Sequence, residues 1–389
     1  MTHIEDKVLY GGVNGTRQAI FALRDMRDML AGSGGSVSVK WDGAPAVFAG
    51  TDPNDGEFFV AKKGIFNKNP KIYKTNADID ADTKGDLNKK LKLALQHLPA
   101  LGITGVVQGD FLFDSSDLKT KTIGGVSYTT FHPNTIVYAV PTHQAAAIKR
   151  AKMGIVWHTS YTGTSFESMR ASFGVDVSKF NKSANVWSQD AFLRDVTKAT
   201  MTKRETDAVN KVLTKIGVLF NSISGSTLRE LEGNQVLAQH IETFNNTYVR
   251  AGKTIGNTTR HTTKLINWIN NKYKKEIAAR KTSKGKAGQQ AKLDALLSFF
   301  SSTNKENLIK MFELQKLIIV AKLKLINKLN RLSNIDTFVK TTAGYKVTGA
   351  EGYVAIDKLG GDAVKLVDRM EFSYNNFSSD IVKGWDNPN

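Results

Sequence analysis

A few residues, far apart in the chain, supply the parts of one nucleophilic reaction. Lys40, Asp42 and Gly43 stand in "SVSVKWDGAPAVF" (36–48). Asp110 stands in "VVQGDFLF", Tyr138 in "TIVYAV", Glu351 in "EGYVAI" and Lys365 in "AVKLV". Together they offer an amine nucleophile, a second cation, two carboxylates and an aromatic face. An amine can attack the α-phosphate of a nucleotide and expel pyrophosphate, leaving a lysyl–nucleotide adduct. The attacking amine must be neutral, and desolvation, a second lysine or a divalent metal each favours that form. A carboxylate such as Glu351 can hold the metal, with Asp110 the other candidate ligand. Lys365 can reach the α-phosphate as a point charge. Asp110 can accept from a ribose hydroxyl, and Tyr138 can stack on a base. Gly43 lets the backbone turn where a side chain would not fit. Taken singly, each residue is ordinary. Lysines line strand edges, and a Lys-x-Asp-Gly tetrapeptide recurs by chance. The ordered set carries the inference.

Strands must hold these groups. Val37, Val39 and Trp41 alternate with Ser38, Lys40 and Asp42, which is a strand pattern. "EFFVA" (57–61), after the "DPNDG" turn, is expected to pair with it as a hairpin, with Lys40 near one end. Further strands are expected at 105–113, 135–141, 154–163 and from 345 onward. Residues 16–31 and 85–98 read as amphipathic helices, the second stopped by Pro99 and Gly102. From about 190 to 332 long helices dominate, the last over 305–332, and "RKTSKGKAGQQAK" (280–292) reads as a flexible basic loop. The expected fold class is α+β: a body over 1–165 and 336–389, carrying a helical insertion over 166–335.

The segments "KWDG", "QGDFLF", "TIVYAV", "EGYVAI" and "AVKLV", in this order, resemble the motifs of the covalent lysyl-nucleotidyltransferases: ATP-dependent RNA and DNA ligases and mRNA capping enzymes. "EGYVA" is most similar to the RNA ligases, phage enzymes among them. The resemblance implies antiparallel sheets with helices, ATP and Mg²⁺ or Mn²⁺ as cofactors, and lysyl–AMP at Lys40. It implies nucleotide contacts from Lys40, Asp42, Gly43, Asp110, Tyr138, Glu351 and Lys365. "AKKG" (61–64) resembles the family's short basic motif and adds Lys62 and Lys63 as phosphate contacts. Three departures stand out. Asp110 replaces the usual Glu, and Val367 fills the place of a second lysine, with Arg369 beyond it. The short stretch after Lys365 leaves no room for the OB domain of DNA ligases, which favours the RNA ligases.

Composition narrows the classes. The 389 residues contain no cysteine, which excludes thiol nucleophiles, disulfides and thiolate zinc sites and suits a reducing cytosol. The N-terminus lacks the build of a signal peptide, and no apolar run reaches membrane-spanning length. The histidines show no metal-ligand spacing, and His132 and His158 are expected to be structural. Net charge is +18, and residues 166–345 hold 30 Lys and Arg against 14 Asp and Glu. Such a block favours a phosphate-rich partner. Arg260, Lys264, Lys272, Lys274, Lys275, Arg280 and Lys281 are its candidate nucleic-acid contacts, whereas Trp268 is expected to pack a helix. The sequence reading is thus an RNA ligase, bacteriophage-like, working in a host cytoplasm. The alternatives are a DNA ligase using the helices as a clamp, and a nucleic-acid-binding protein whose altered motifs no longer support transfer.

Overall fold

A computed structural model describes residues 2–33, 37–193, 199–332, 335–356 and 363–386. Its strands are β1 (Thr2–His3), β2 (Val37–Lys40), β3 (Ala46–Thr51), β4 (Phe58–Ala61), β5 (Ile72–Tyr73), β6 (Val106–Asp114), β7 (Lys119–Ile123), β8 (Val126–Phe131), β9 (Ile136–Pro141), β10 (Met153–Thr162), β11 (Arg170–Phe173), β12 (Val186–Asp190), β13 (Phe192–Leu193), β14 (Asp336–Thr341), β15 (Gly344–Val347), β16 (Gly352–Ile356) and β17 (Ala363–Leu366). Its helices are α1 (Lys7–Asp28), α2 (Asn76–Asp82), α3 (Gly85–His97), α4 (Ala146–Arg150), α5 (Lys203–Asn221), α6 (Gly225–Gly233), α7 (Gln235–Arg250), α8 (Thr258–Ala278), α9 (Ser283–Leu297), α10 (Ser302–Leu329) and α11 (Arg369–Phe377). The fold is α+β. None of the described helices is long and apolar enough to cross a membrane.

The chain divides into two compact units, each drawn from three segments. The sheet unit comprises 36–195, 332–354 and 375–389. One sheet runs β11-β10-β6-β3-β4-β5, with β12 beside β10. Strand β6 shows why it forms. Val107 and Phe111 join Leu91, Ala94 and Leu98 of α3 in one core, while Gln108 and Asp110 alternate to the other face. Each fully buried Leu or Phe side chain there contributes roughly 1.5–3 kcal/mol. Helix α2 starts on a capping box, in which Thr75 and Asp78 satisfy each other's backbone N–H groups. A second sheet runs β15-β14-β9-β8-β7, and β2 lies between β13 and β16.

The helical unit comprises 1–35, 196–331 and 355–374. It contains α1, α5 to α10, and the parallel pair of β1 and β17. Helix α1 kinks at Gly12, whose φ is +49°. A Cβ there would lie 2.9 Å from the Leu228 carbonyl of α6, so the close approach requires glycine. Beneath the helices sits a buried charge network. Lys322 of α10 donates to both oxygens of Glu5 at 2.8 and 2.9 Å, and Arg369 donates to Asp6 at 2.8 Å.

Four expectations are corrected. Strand β4 pairs with β3, not with the Lys40 strand. Strands β11 to β13 lie in the sheet unit, so the helical segment opens near 196 rather than 166. The N-terminal helix belongs to the helical unit, because its apolar face is completed by α5, α6 and α10. The presumed basic loop at 280–292 is mostly α9, started by Thr282, whose hydroxyl accepts from the Gly285 N–H.

Candidate active site around Lys40

Strand β2 ends at Lys40, and β16 runs antiparallel beside it with Gly352 opposite Lys40. That register puts Glu351 next to the lysine, and the Lys40 amine donates to its carboxylate. The two residues are 311 positions apart in the chain. The Glu351 side chain is 9% exposed and that of Lys40 35%. The amine is therefore less buried than the strand pattern suggested. An ion pair, rather than desolvation, defines its surroundings. To act as a nucleophile it must leave Glu351 without its proton.

The next three residues explain the rest of the tetrapeptide. Asp42 is buried, and its carboxylate accepts from the Thr135 and Ile136 N–H groups at 2.6 and 2.8 Å and from Asn134 Nδ2 at 2.6 Å. Its own N–H donates to the Tyr138 hydroxyl at 2.6 Å. Asp42 thus fastens the start of β9 to the end of β2. It is committed to positioning and offers no free carboxylate to a nucleotide. Gly43 lies against β6, where an added Cβ would come within 2.7 Å of the Asp110 Cβ. No other residue fits between the turn and Asp110.

Tyr138 corrects a further expectation. Its ring stacks on Trp41 at 5.0 Å and on Phe131 at 5.3 Å, so both faces are covered and neither is open to a base. The ring is core. Burial, followed by the charge of Asp42 and then of Glu351 and Asp110, holds its phenol protonated well above the usual range. Asp110 is 22% exposed on the face of β6 away from α3. His158 Nε2 stands 3.8 Å from it, on a bulge where β10 slips register against β6. Sequence reasoning set His158 aside as structural, and its place beside an acid on a strand was the missed signal. His132 is structural as expected. It bonds the Thr135 carbonyl, and burial pushes it down to about 4.

The remaining candidates lie elsewhere. Lys62 donates to Asp82 at 2.9 Å, alongside Lys71 at 2.7 Å and the Tyr73 hydroxyl at 2.6 Å. Lys63 is exposed on the turn after β4. Lys365 lies on β17 in the helical unit, opposite His3 and 5.1 Å above the Phe372 ring. Val367 is fully buried, so core occupies the place where the resemblance would put a second cation. Arg369 does not stand in for it, since it starts α11 and serves Asp6.

The seven cations of the basic segment fall on or just beyond α8. Arg260, Lys264, Lys274 and Lys275 are exposed on that helix, Lys272 sits over the Trp268 ring at 5.5 Å, and Arg280 and Lys281 follow the helix end. Trp268 is packed on Phe244 and edge-on to His240, as expected.

Among the described residues no three His, Asp or Glu side chains gather into a metal-holding group. Residues 1–381 match the model of a family of unknown function (DUF6267), and the chain belongs to that family. No curated protein and no solved structure matches it.

Proposed function

We propose that the chain is an ATP-dependent polynucleotide ligase, with RNA as the favoured substrate, working through lysyl–AMP on Lys40. One observation supports this above the others. Lys40 and Glu351, from opposite ends of the sequence, meet on adjacent strands, and the Gly43 turn that follows Lys40 packs against Asp110. In the first step the Lys40 nitrogen bonds to the α-phosphorus of ATP. The bond to pyrophosphate breaks, and the amine proton leaves. A polynucleotide 5′-phosphate then takes the adenylate from Lys40. A 3′-hydroxyl displaces AMP and forms the phosphodiester bond.

Mg²⁺ is commonly held by one or two carboxylates together with substrate phosphates and waters, and Glu351 with Asp110 fits that donor set. When bound there, the ion would neutralise charge developing on the α-phosphate. The turn fixed by Asp42 and Gly43 keeps Lys40 and Asp110 in place before the nucleotide arrives.

The test is incubation of the full chain with labelled ATP and Mg²⁺, followed by a denaturing gel. The expected result is a labelled band that Lys40→Ala reduces by at least ~10³-fold. An equal band in Lys40→Ala, or no band with ATP, overturns the proposal. A band with GTP alone points to capping chemistry. Joining of single-stranded RNA in preference to nicked DNA separates an RNA ligase from a DNA ligase. The covered faces of Tyr138 and the buried Val367 favour a second reading, a nucleic-acid-binding protein that has lost transfer. That reading expects no label and retained binding.

A further inference from the structure

Helix α8 has two unlike sides. His261, Leu265, Ile269 and Tyr273 are buried at four-residue spacing. The opposite side exposes Arg260, Lys264, Asn267, Asn271, Lys274 and Lys275. From Arg260 to Lys274 consecutive members are three or four residues apart, with Lys275 beside Lys274, so they follow one line along the helix. At the rise of an α-helix the steps measure about 4.5–6 Å and the row about 22 Å. None of its four cations lies within ion-pair distance of a carboxylate among the described residues. The acid of α8, Glu276, falls about 160° around the helix from Arg260.

We propose that this face binds the phosphodiester backbone of a single-stranded polynucleotide, about one phosphate per rung. The step length is close to the repeat of an extended strand. The donors are all side-chain amines, guanidinium and amides, suited to phosphate oxygens. The nearby aromatics are packed away, with Tyr273 buried and Trp268 between Phe244 and Lys272. Contact therefore reads backbone and not base. A membrane surface fits less well, because the row carries no large apolar side chain to insert. The inference rests on the ligase reading for its choice of polyanion. Its test needs neither ATP nor catalysis, so the two can fail separately.

The experiment measures binding of the full chain to a short fluorescent single-stranded RNA across a salt series. The variant changes Arg260, Lys264, Lys274 and Lys275 to Gln together. A control of equal charge changes the exposed Lys211, Lys215, Lys253 and Lys305 to Gln. The expected result is a log–log salt slope about 3 shallower in the α8 variant, with at least ~10-fold weaker binding at low salt. The control retains most of the slope, thermal unfolding of both variants matches the parent, and single-stranded DNA binds as RNA does. An unchanged slope, or an equal loss in the control, overturns the proposal. So does duplex that outcompetes the single strand, or row-dependent binding only to phosphatidylserine vesicles.

Discussion

The sheet unit and helix α8 of the helical unit treat positive charge in opposite ways, although other cations of the helical unit, such as Lys203 and Lys316, are paired. In the sheet unit, lysines are answered locally. Lys62 and Lys71 share Asp82, Lys74 faces Asp52, Lys89 meets Asp114, Lys92 meets Asp80, and Lys40 itself meets Glu351. In the helical unit the surface cations of α8 are unanswered, whereas one lysine, Lys322, is wholly buried and fully paired. A pair in the sheet unit holds a side chain in a chosen place. Unanswered surface charge does the reverse, keeping a side chain extended and available to an outside anion. The chain's net charge is thus a property of one unit's surface rather than of the molecule as a whole.

The sharpest way to break this comparison is at the buried pair. Lys322→Met should destabilise the chain by about 3–5 kcal/mol in urea unfolding, because Glu5 is left charged and buried. The double variant with Glu5→Leu should recover more than half. No loss in the single variant would mean that the pair is not a structural element.

Next comes Asp42→Ala, which strips the acceptor from the Thr135 and Ile136 N–H groups. An expected loss of about 2–4 kcal/mol, together with a fall in Lys40 labelling, would tie position to chemistry in the sheet unit. Full labelling at reduced stability would separate the two.

The smallest effect is a pH slope. Burial, with Glu5 and Glu242 nearby, pushes the Asp6 carboxyl up to about 7 despite Arg369. A folded-state value above the ordinary 3.8 means that the folded protein holds this proton more tightly. Its contribution is therefore complete at low pH and is lost as pH rises through about 7. Glu5 acts in the other direction. Burial would raise it, but Lys322 outweighs burial and holds it at about 2, so its contribution is complete above the ordinary 4.5 and is lost as pH falls from there toward about 2. Urea midpoints for Asp6→Asn should flatten the fall between about pH 4 and 7, by at most about 1.4 kcal/mol per pH unit. An unchanged pH profile would mean that Asp6 is ionised throughout.

Much of this was legible in the sequence. Alternation at 37–41 exposed strand β2, and the apolar runs at 106–113 and 136–141 exposed β6 and β9, the last buried on both faces. The meeting of Lys40 with Glu351 followed from motif order. What escaped was set by long-range packing. Nothing local marks Tyr138 as covered on both faces, since Trp41 and Phe131 reach it only once β2, β8 and β9 assemble. Asp82 captures Lys62 across a turn and a short helix. Strand β13, with two residues, is too short to show a period. Helix α1 was readable as a helix, but its unit was not, because an apolar stripe does not name its partner.

The discontinuity of the sheet unit has a consequence for synthesis. Residues 36–195 leave the ribosome early, yet β16 comes from the last tenth of the chain. A nascent or prematurely terminated product therefore carries Lys40 without Glu351. The growing polypeptide cannot complete the pair until synthesis has passed residue 351, and a chain interrupted before that point lacks it.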